Sequence, residues 1–174
     1  MCLVNVLGLD PSLSATGWAV LQFNLEGEFK KLRGYGVIRA EKLRDAERLL
    51  FIETRIRLIL LAFNPVLACI EGYAYGFKKG QGRYRESAGE LGGVIRRLLY
   101  VYNISKQVIP PQSLKKGFAG TAKVDKDKIL KLAQKRSGCK FEKVLASKRN
   151  NVSDAFAVAC VGVKNVSLKE YVNG

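Results

Sequence analysis

Three of the fifteen acidic residues stand in apolar company. Asp10 follows Val4-Asn5-Val6-Leu7-Gly8-Leu9, and Glu71 follows Val66-Leu67-Ala68-Cys69-Ile70. Asp154 opens a stretch of small and apolar residues that runs through Ala155, Phe156 and Val158. Glu26, Glu28, Glu41, Asp45, Glu47 and Glu53 sit among polar neighbours and read as solvated. A partly buried carboxylate is unfavourable unless it is paired or bound to a cation. Three that converge also repel one another. A divalent ion answers both difficulties, and oxygen ligands suit Mg²⁺ or Mn²⁺. Each acid also has a separate structural reading: Asp10 capping a turn with Ser12, Glu71 paired with a lysine, Asp154 complementing a helix N-terminus. Shared context in a basic chain without histidine favours the common metal site.

The residue types that are missing narrow the chemistry further. With no histidine, a Ser-His-Asp triad, a Cys-His pair and histidine-based metal sites are excluded. No GxxxxGK[ST] loop is present, which excludes a P-loop ATPase. Cys2, Cys69, Cys139 and Cys160 have no CxxC spacing, so reduced thiols in an intracellular protein are expected and zinc is not. Hydrolysis must therefore rest on carboxylates, lysines or hydroxyls. Phosphodiester hydrolysis builds negative charge on the attacking and leaving oxygens. Two metal ions about 4 Å apart can activate water and stabilise the leaving oxyanion.

The acids need elements to position them. Residues 3–9 form an almost uninterrupted apolar run, as in a strand buried on both faces. Residues 16–23 and 29–38 give two more strands around the Glu26-Gly27 turn, which predicts a meander. Leu49, Ile52, Ile56, Ile59 and Phe63 recur at helical steps and predict a helix over 41–63, stopped before Pro65. A fourth strand covers 66–70 and ends at Glu71. The glycines and aromatics of 72–82 read as a loop. Ala88, Leu91, Ile95, Leu98 and Tyr102 mark a second helix, in which Gly92-Gly93 predicts close backbone packing against a neighbour. A fifth strand over 104–109 is cut off by Pro110-Pro111. Helices are then predicted over 112–118, from Asp125 as N-cap to Arg136, and from about Asn150 onward. This order predicts a single α/β domain over 1–174 with a mixed five-stranded sheet flanked by helices. No apolar run approaches the ~20 residues of a membrane span, and the N-terminal run reads as a core strand rather than a signal peptide.

The net charge of +15 points to an anionic polymer, most simply nucleic acid. The charge is uneven: +5 over residues 1–102, +10 over 103–149 and zero over 150–174. Lys115, Lys116, Lys123, Lys126 and Lys128 therefore lead the expected phosphate-binding surface. A solvated lysine face is the plainer reading for some of them. A second patch places Lys78, Lys79, Arg83 and Arg85 beside Tyr73, Tyr75 and Phe77. That mixture suits unstacked bases, although the aromatics could also fold back onto the core.

Leu7-Gly8-Leu9-Asp10-Pro11-Ser12 with Thr16-Gly17-Trp18 resembles the first motif of the RuvC-type Holliday-junction resolvases. Ile70-Glu71-Gly72-Tyr73-Ala74-Tyr75-Gly76 and Gly89-Glu90-Leu91-Gly92-Gly93-Val94 resemble the second, in the form of phage-encoded members. Lys115-Lys116-Gly117-Phe118-Ala119-Gly120 with Asp125-Lys126 is similar to the basic segment, and Ser153-Asp154-Ala155-Phe156-Ala157 to the last motif. The resemblance spans residues 3–163 in order. It implies a ribonuclease H-like fold, a homodimer, Mg²⁺ dependence with two ions per site, and paired nicks in a DNA four-way junction. It assigns metal binding to Asp10, Glu71 and Asp154. Family members usually carry an Asp or His three residues before the last Asp, where this chain has Asn151. One helical turn puts Asn151 on the face of Asp154. Its amide oxygen could ligate a second ion without charge, or Asn150-Asn151 could simply cap the helix. Ser12 replaces a common Gly, which should alter the turn.

Three other readings share these residues. A nuclease of the same fold could act on flaps, forks or RNA–DNA hybrids. A non-catalytic nucleic-acid-binding protein would tolerate loss of the acids. An actin-like ATPase fragment, suggested by residues 10–17, ranks last because no second such half is present.

Overall fold

The computed structural model describes residues 2–72 and 82–172, with the backbone alone for 82–88. Strands β1 (Leu3–Asp10), β2 (Ala15–Asn24) and β3 (Phe29–Arg39) form an antiparallel meander. Helix α1 (Asp45–Phe63) crosses to β4 (Leu67–Glu71), which runs parallel to β1. Helix α2 (Gly82–Val101) leads to β5 (Ser105–Ile109), parallel to β4. Helices α3 (Pro111–Ala119), α4 (Lys126–Ser137) and α5 (Arg149–Val163) complete the chain with two short 3₁₀ turns. The sheet order is β3-β2-β1-β4-β5, so the expected mixed five-stranded sheet is present.

Period-two alternation sends side chains of the buried strands to opposite faces of the sheet. Leu7, Leu9, Val20, Ala68 and Ile70 pack against Ile52 and Ile56 of α1 and Leu91 and Ile95 of α2. Val6, Ala19, Leu21 and Cys69 face the other way, against Phe118 of α3 and Val152, Ala155 and Phe156 of α5. Ten of the fifteen residues of α5 are buried, which is why its sequence lacks a polar face. Burial pushes the thiols of Cys69 and Cys160 up, that of Cys160 to about 12, and all four cysteines are free.

Helix α5 lies directly on the sheet backbone because two strand positions carry no side chain. A Cβ at Gly8 would meet the carbonyl oxygen of Ala155, and one at Gly17 the carbonyl oxygen of Asn151. These contacts fix the height and rotation of α5 over β1 and β2, and with them the position of Asp154.

Two expectations change. Helix α1 begins at Asp45 rather than near 41, because 40–43 form a turn. The Leu43 amide donates to the Ala40 carbonyl at 3.1 Å, and the Arg48 guanidinium donates to the Leu43 carbonyl. The close packing predicted from Gly92-Gly93 is not made at Gly93. A Cβ there, or at Gly89, would meet nothing within 4 Å. Helix α2 is held instead by Leu91, Ile95, Leu98 and Leu99 on its opposite side. Among the described residues no helix is long and apolar enough to cross a membrane.

Gly8→Ala should lower the unfolding free energy by about 3 kcal/mol or more, the upper range for forced overpacking, since the obstacle is backbone and cannot rotate away. A urea titration followed by circular dichroism measures the change. Wild-type stability in this variant would contradict the described seating of α5.

Candidate active site

Asp10 is the last residue of β1 and Glu71 the last of β4. The two strands are parallel neighbours with Leu9 in register with Ile70, so the acids lie side by side at the carboxyl ends. Both fall on the sheet face that α5 covers, and Asp154 approaches from the second turn of that helix. One carboxylate oxygen from each of the three lies within 4.8 Å of the others. The three acids come from the start, middle and end of the chain, and the topology closes both gaps.

The electrostatics arise from this crowding. Burial, then the charges of Glu71 and Asp154, hold the Asp10 carboxyl well above its usual range. Burial and Asp154 push Glu71 up to about 7. Burial raises Asp154 as well, opposed by the ammonium groups of Lys126 and Lys115. The three acids and both lysines line one cleft of about 200 Å³, with Asp125 at its rim and Leu114 and Ile129 in its wall. The Lys126 Nζ stands 3.9 Å from the Asp154 Oδ2.

Among the described residues the separate structural readings of Asp10 and Glu71 are not realised. Ser12 does not bond to Asp10: its amide donates to the Thr16 Oγ1 at 3.1 Å, and that hydroxyl donates to the Ser12 carbonyl at 2.7 Å. Among the described residues Glu71 makes no ion pair. Among the described residues Asp154 has only the long contact to Lys126. Three partly buried carboxylates, without hydrogen-bond donors among the described residues, form an oxygen-only set that fits a hard divalent cation.

Asn151 is placed differently from the acids. Its Nδ2 donates to the Ala15 carbonyl at 2.8 Å, and it is not among the residues lining the cleft. The alternative that Asn150-Asn151 caps the helix is overturned. The N-cap is Lys148, without a side-chain cap, and among the described residues Asn150 accepts from the Ser153 hydroxyl through its carbonyl and caps nothing with its side chain. Asp125 caps α4 as expected, accepting from the Lys128 amide at 2.7 Å. Its place on the cleft rim was not read from the sequence, although its position beside Lys126 was the available signal.

Of the basic residues, Lys115 and Lys126 enter the cleft itself, whereas Lys116, Lys123 and Lys128 are exposed on α3, the loop after it and α4. Tyr73, Tyr75, Phe77, Lys78 and Lys79 lie outside the described residues. Arg83 and Arg85 fall on the backbone of α2, their side chains undescribed.

A meander continued by two parallel strands, with α1 and α2 on one face and α5 on the other, and acids at the ends of the central strands, is the ribonuclease H-like fold of the resolvases. The Thermus thermophilus RuvC structure matches it with a TM-score of 0.73 at 21% identity, covering 90% of this chain and 92% of that one. The same protein in complex with Holliday junction substrate gives 0.75 at 20% identity, covering 91% and 92%. Residues 6–162 match the family model of crossover junction endodeoxyribonuclease RuvC, and the chain belongs to that family. A curated member from Caldicellulosiruptor saccharolyticus is 29% identical over 169 residues, 97% of each chain. Another, from Wolbachia pipientis wMel, is 27% identical over 157 residues, 90% of this chain and 92% of that protein.

Glu71 yields a pH signature. Its folded-state pKa lies above its unfolded value, so its contribution is fully present below the unfolded pKa and lost as pH rises toward about 7. In the presence of chelator, wild type and Glu71→Gln should be equally stable at about pH 4, and the variant more stable by up to about 3 kcal/mol at about pH 8. Denaturant titrations at both pH values check this. A constant difference across that range would contradict the raised pKa.

Proposed function

We propose that the chain is a metal-dependent, structure-selective DNA endonuclease that resolves four-way junctions by paired symmetric nicks, leaving 5′-phosphate and 3′-hydroxyl ends. The observation that carries this is the convergence of Asp10, Glu71 and Asp154 within 4.8 Å, in a cleft walled by Lys115 and Lys126. Membership of the RuvC family supports the same reaction.

Asp10, Glu71 and Asp154 would hold the metal, with Mg²⁺ as the ion, Mn²⁺ as its substitute and two ions as the full complement during cleavage. When bound there, the metal supplies an activated water and charge stabilisation for the leaving oxygen. The carboxylates keep their ligand oxygens in place through the rigid ends of β1, β4 and α5. Leu114 and Ile129 limit water on one wall of the cleft, which strengthens the electrostatic interactions inside it. Lys115 and Lys126 hold the scissile phosphate against the acids, offsetting the repulsion between a phosphate and three carboxylates. Lys116, Lys123 and Lys128 extend that contact along the DNA backbone. Lys78, Lys79, Arg83 and Arg85, with Tyr73, Tyr75 and Phe77, are assigned to the unstacked bases at the junction centre. Asn151, held to β2 through its Nδ2, would offer its amide oxygen as an uncharged ligand to the second ion.

A single cleft cuts one strand, so two symmetric cuts call for a twofold homodimer of this one nuclease domain, residues 1–174. Branched DNA inside the cell is the partner.

Asp10→Asn, Glu71→Gln and Asp154→Asn should each lower cleavage about a hundred- to a thousandfold while junction binding is kept, the scale expected for loss of one preorganised electrostatic group. Labelled four-way junctions, Y-forks and linear duplex, each with and without Mg²⁺, measure both quantities. Equal cutting of all three substrates would favour a general debranching nuclease. No cutting of any would leave a DNA-binding protein.

A further inference from the structure

Among the described residues the acid cluster has no fourth anion, and it has a cation already beside it. Three residues before Asp154, Asn151 is committed to β2. Its Nδ2 holds the Ala15 carbonyl at 2.8 Å, and its backbone carbonyl lies over Gly17. Asp125 is the other carboxylate lining the cleft, but it falls outside the 4.8 Å cluster and one of its oxygens accepts from the Lys128 amide. Lys126, the first residue of α4, brings its ammonium to 3.9 Å from Asp154, with its side chain 72% exposed.

We propose that Lys126 takes the place of a second divalent cation in the DNA-free protein, so that the cleft loads one divalent ion rather than two. The inference rests on the metal-nuclease reading of the cleft. Three ionised carboxylates, one divalent ion and one ammonium leave no net formal charge. A second divalent ion would add two positive charges beside that ammonium, and repulsion between charges a few ångströms apart is strong in a partly buried cleft. A carboxylate at 151 would shift the balance back towards two ions. Lys126 is in this sense a positioning residue for the metal: it sets how many ions the acids hold and how tightly.

Calorimetric titration of Mn²⁺ into the DNA-free full-length protein tests the idea in wild type, Lys126→Met and Asn151→Asp, with circular dichroism as the check on folding. Wild type should bind one ion. Lys126→Met should bind the first ion about twofold to fivefold more tightly, the range for relief of one exposed charge–charge contact, and a second ion should become measurable. Asn151→Asp should bind two. Two ions of similar affinity in wild type would overturn the proposal and leave the nuclease reading intact, as would an unchanged Mn²⁺ affinity in Lys126→Met. No Mn²⁺ binding by any of the proteins would overturn both. If Asn151→Asp fails to fold for want of the bond to Ala15, wild type and Lys126→Met decide the matter alone.

Discussion

Like charges must be gathered in a partly dehydrated cleft, and this requirement governs the arrangement of the molecule. Asp10, Glu71 and Asp154 sit where burial and mutual repulsion both disfavour their ionised forms. Nothing in their described surroundings favours their meeting except the lysines at the cleft wall. The force that holds them there is remote: two apolar cores, one on each side of the sheet, whose burial fixes the strands and α5 regardless of the carboxylates. The electrostatic strain is therefore stored by packing, and a divalent cation is the natural means of relieving it.

The sheet converts that packing into geometry. Parallel pairing of β1 with β4 makes the ends of two distant segments adjacent, at the carboxyl ends of the central strands. The meander contributes differently. Gly17 in β2 pairs with Asp10 across the ladder and receives the backbone of α5 at Asn151. One strand residue thus relates the first acid to the helix bearing the third. Lys115 and Lys126 arrive on α3 and α4, which Phe118 and Ile129 anchor in the core and which the Arg136 guanidinium ties together by donating to the Phe118 carbonyl at 3.0 Å.

Much of this was legible in the sequence. An apolar run ended by an acid signals a buried strand whose last residue leaves the core, and that pattern located both Asp10 and Glu71. The small and apolar residues after Asp154 marked a helix from about Asn150, and the structure added that ten of its residues are buried. Strand and helix order came from apolar runs bounded by turn residues and from helical spacing, and agrees with the structure to within a few residues. The discrepancies have physical causes. Residues 40–43 have helical neighbours in sequence, but their hydrogen bonds are spent in a turn. Gly92-Gly93 gives the same signal whether glycine is needed for a close approach or merely tolerated, and at Gly93 no approach is made within the described residues. Helical spacing put Asn151 with Asp154, but i and i+3 positions differ by about 60° around the axis, enough for the Ala15 carbonyl to capture the amide. No local pattern could show that Lys115 and Lys126 enter the cleft, because that depends on how α3 and α4 fold back over the ends of β1 and β4.

The seating of α5 restricts how the chain can change in length. An insertion or deletion of one residue between Asn151 and Ala155 would rotate the remainder of the helix by about 100°. Side chains would then be driven into the strand backbone where Gly8 and Gly17 now leave room, and Asp154 would swing out of the cleft. Drift by gain or loss of residues is thus confined to the connections, such as 138–148 between α4 and α5. At the ten buried positions of the helix, change is limited to exchange of one side chain for another of similar bulk.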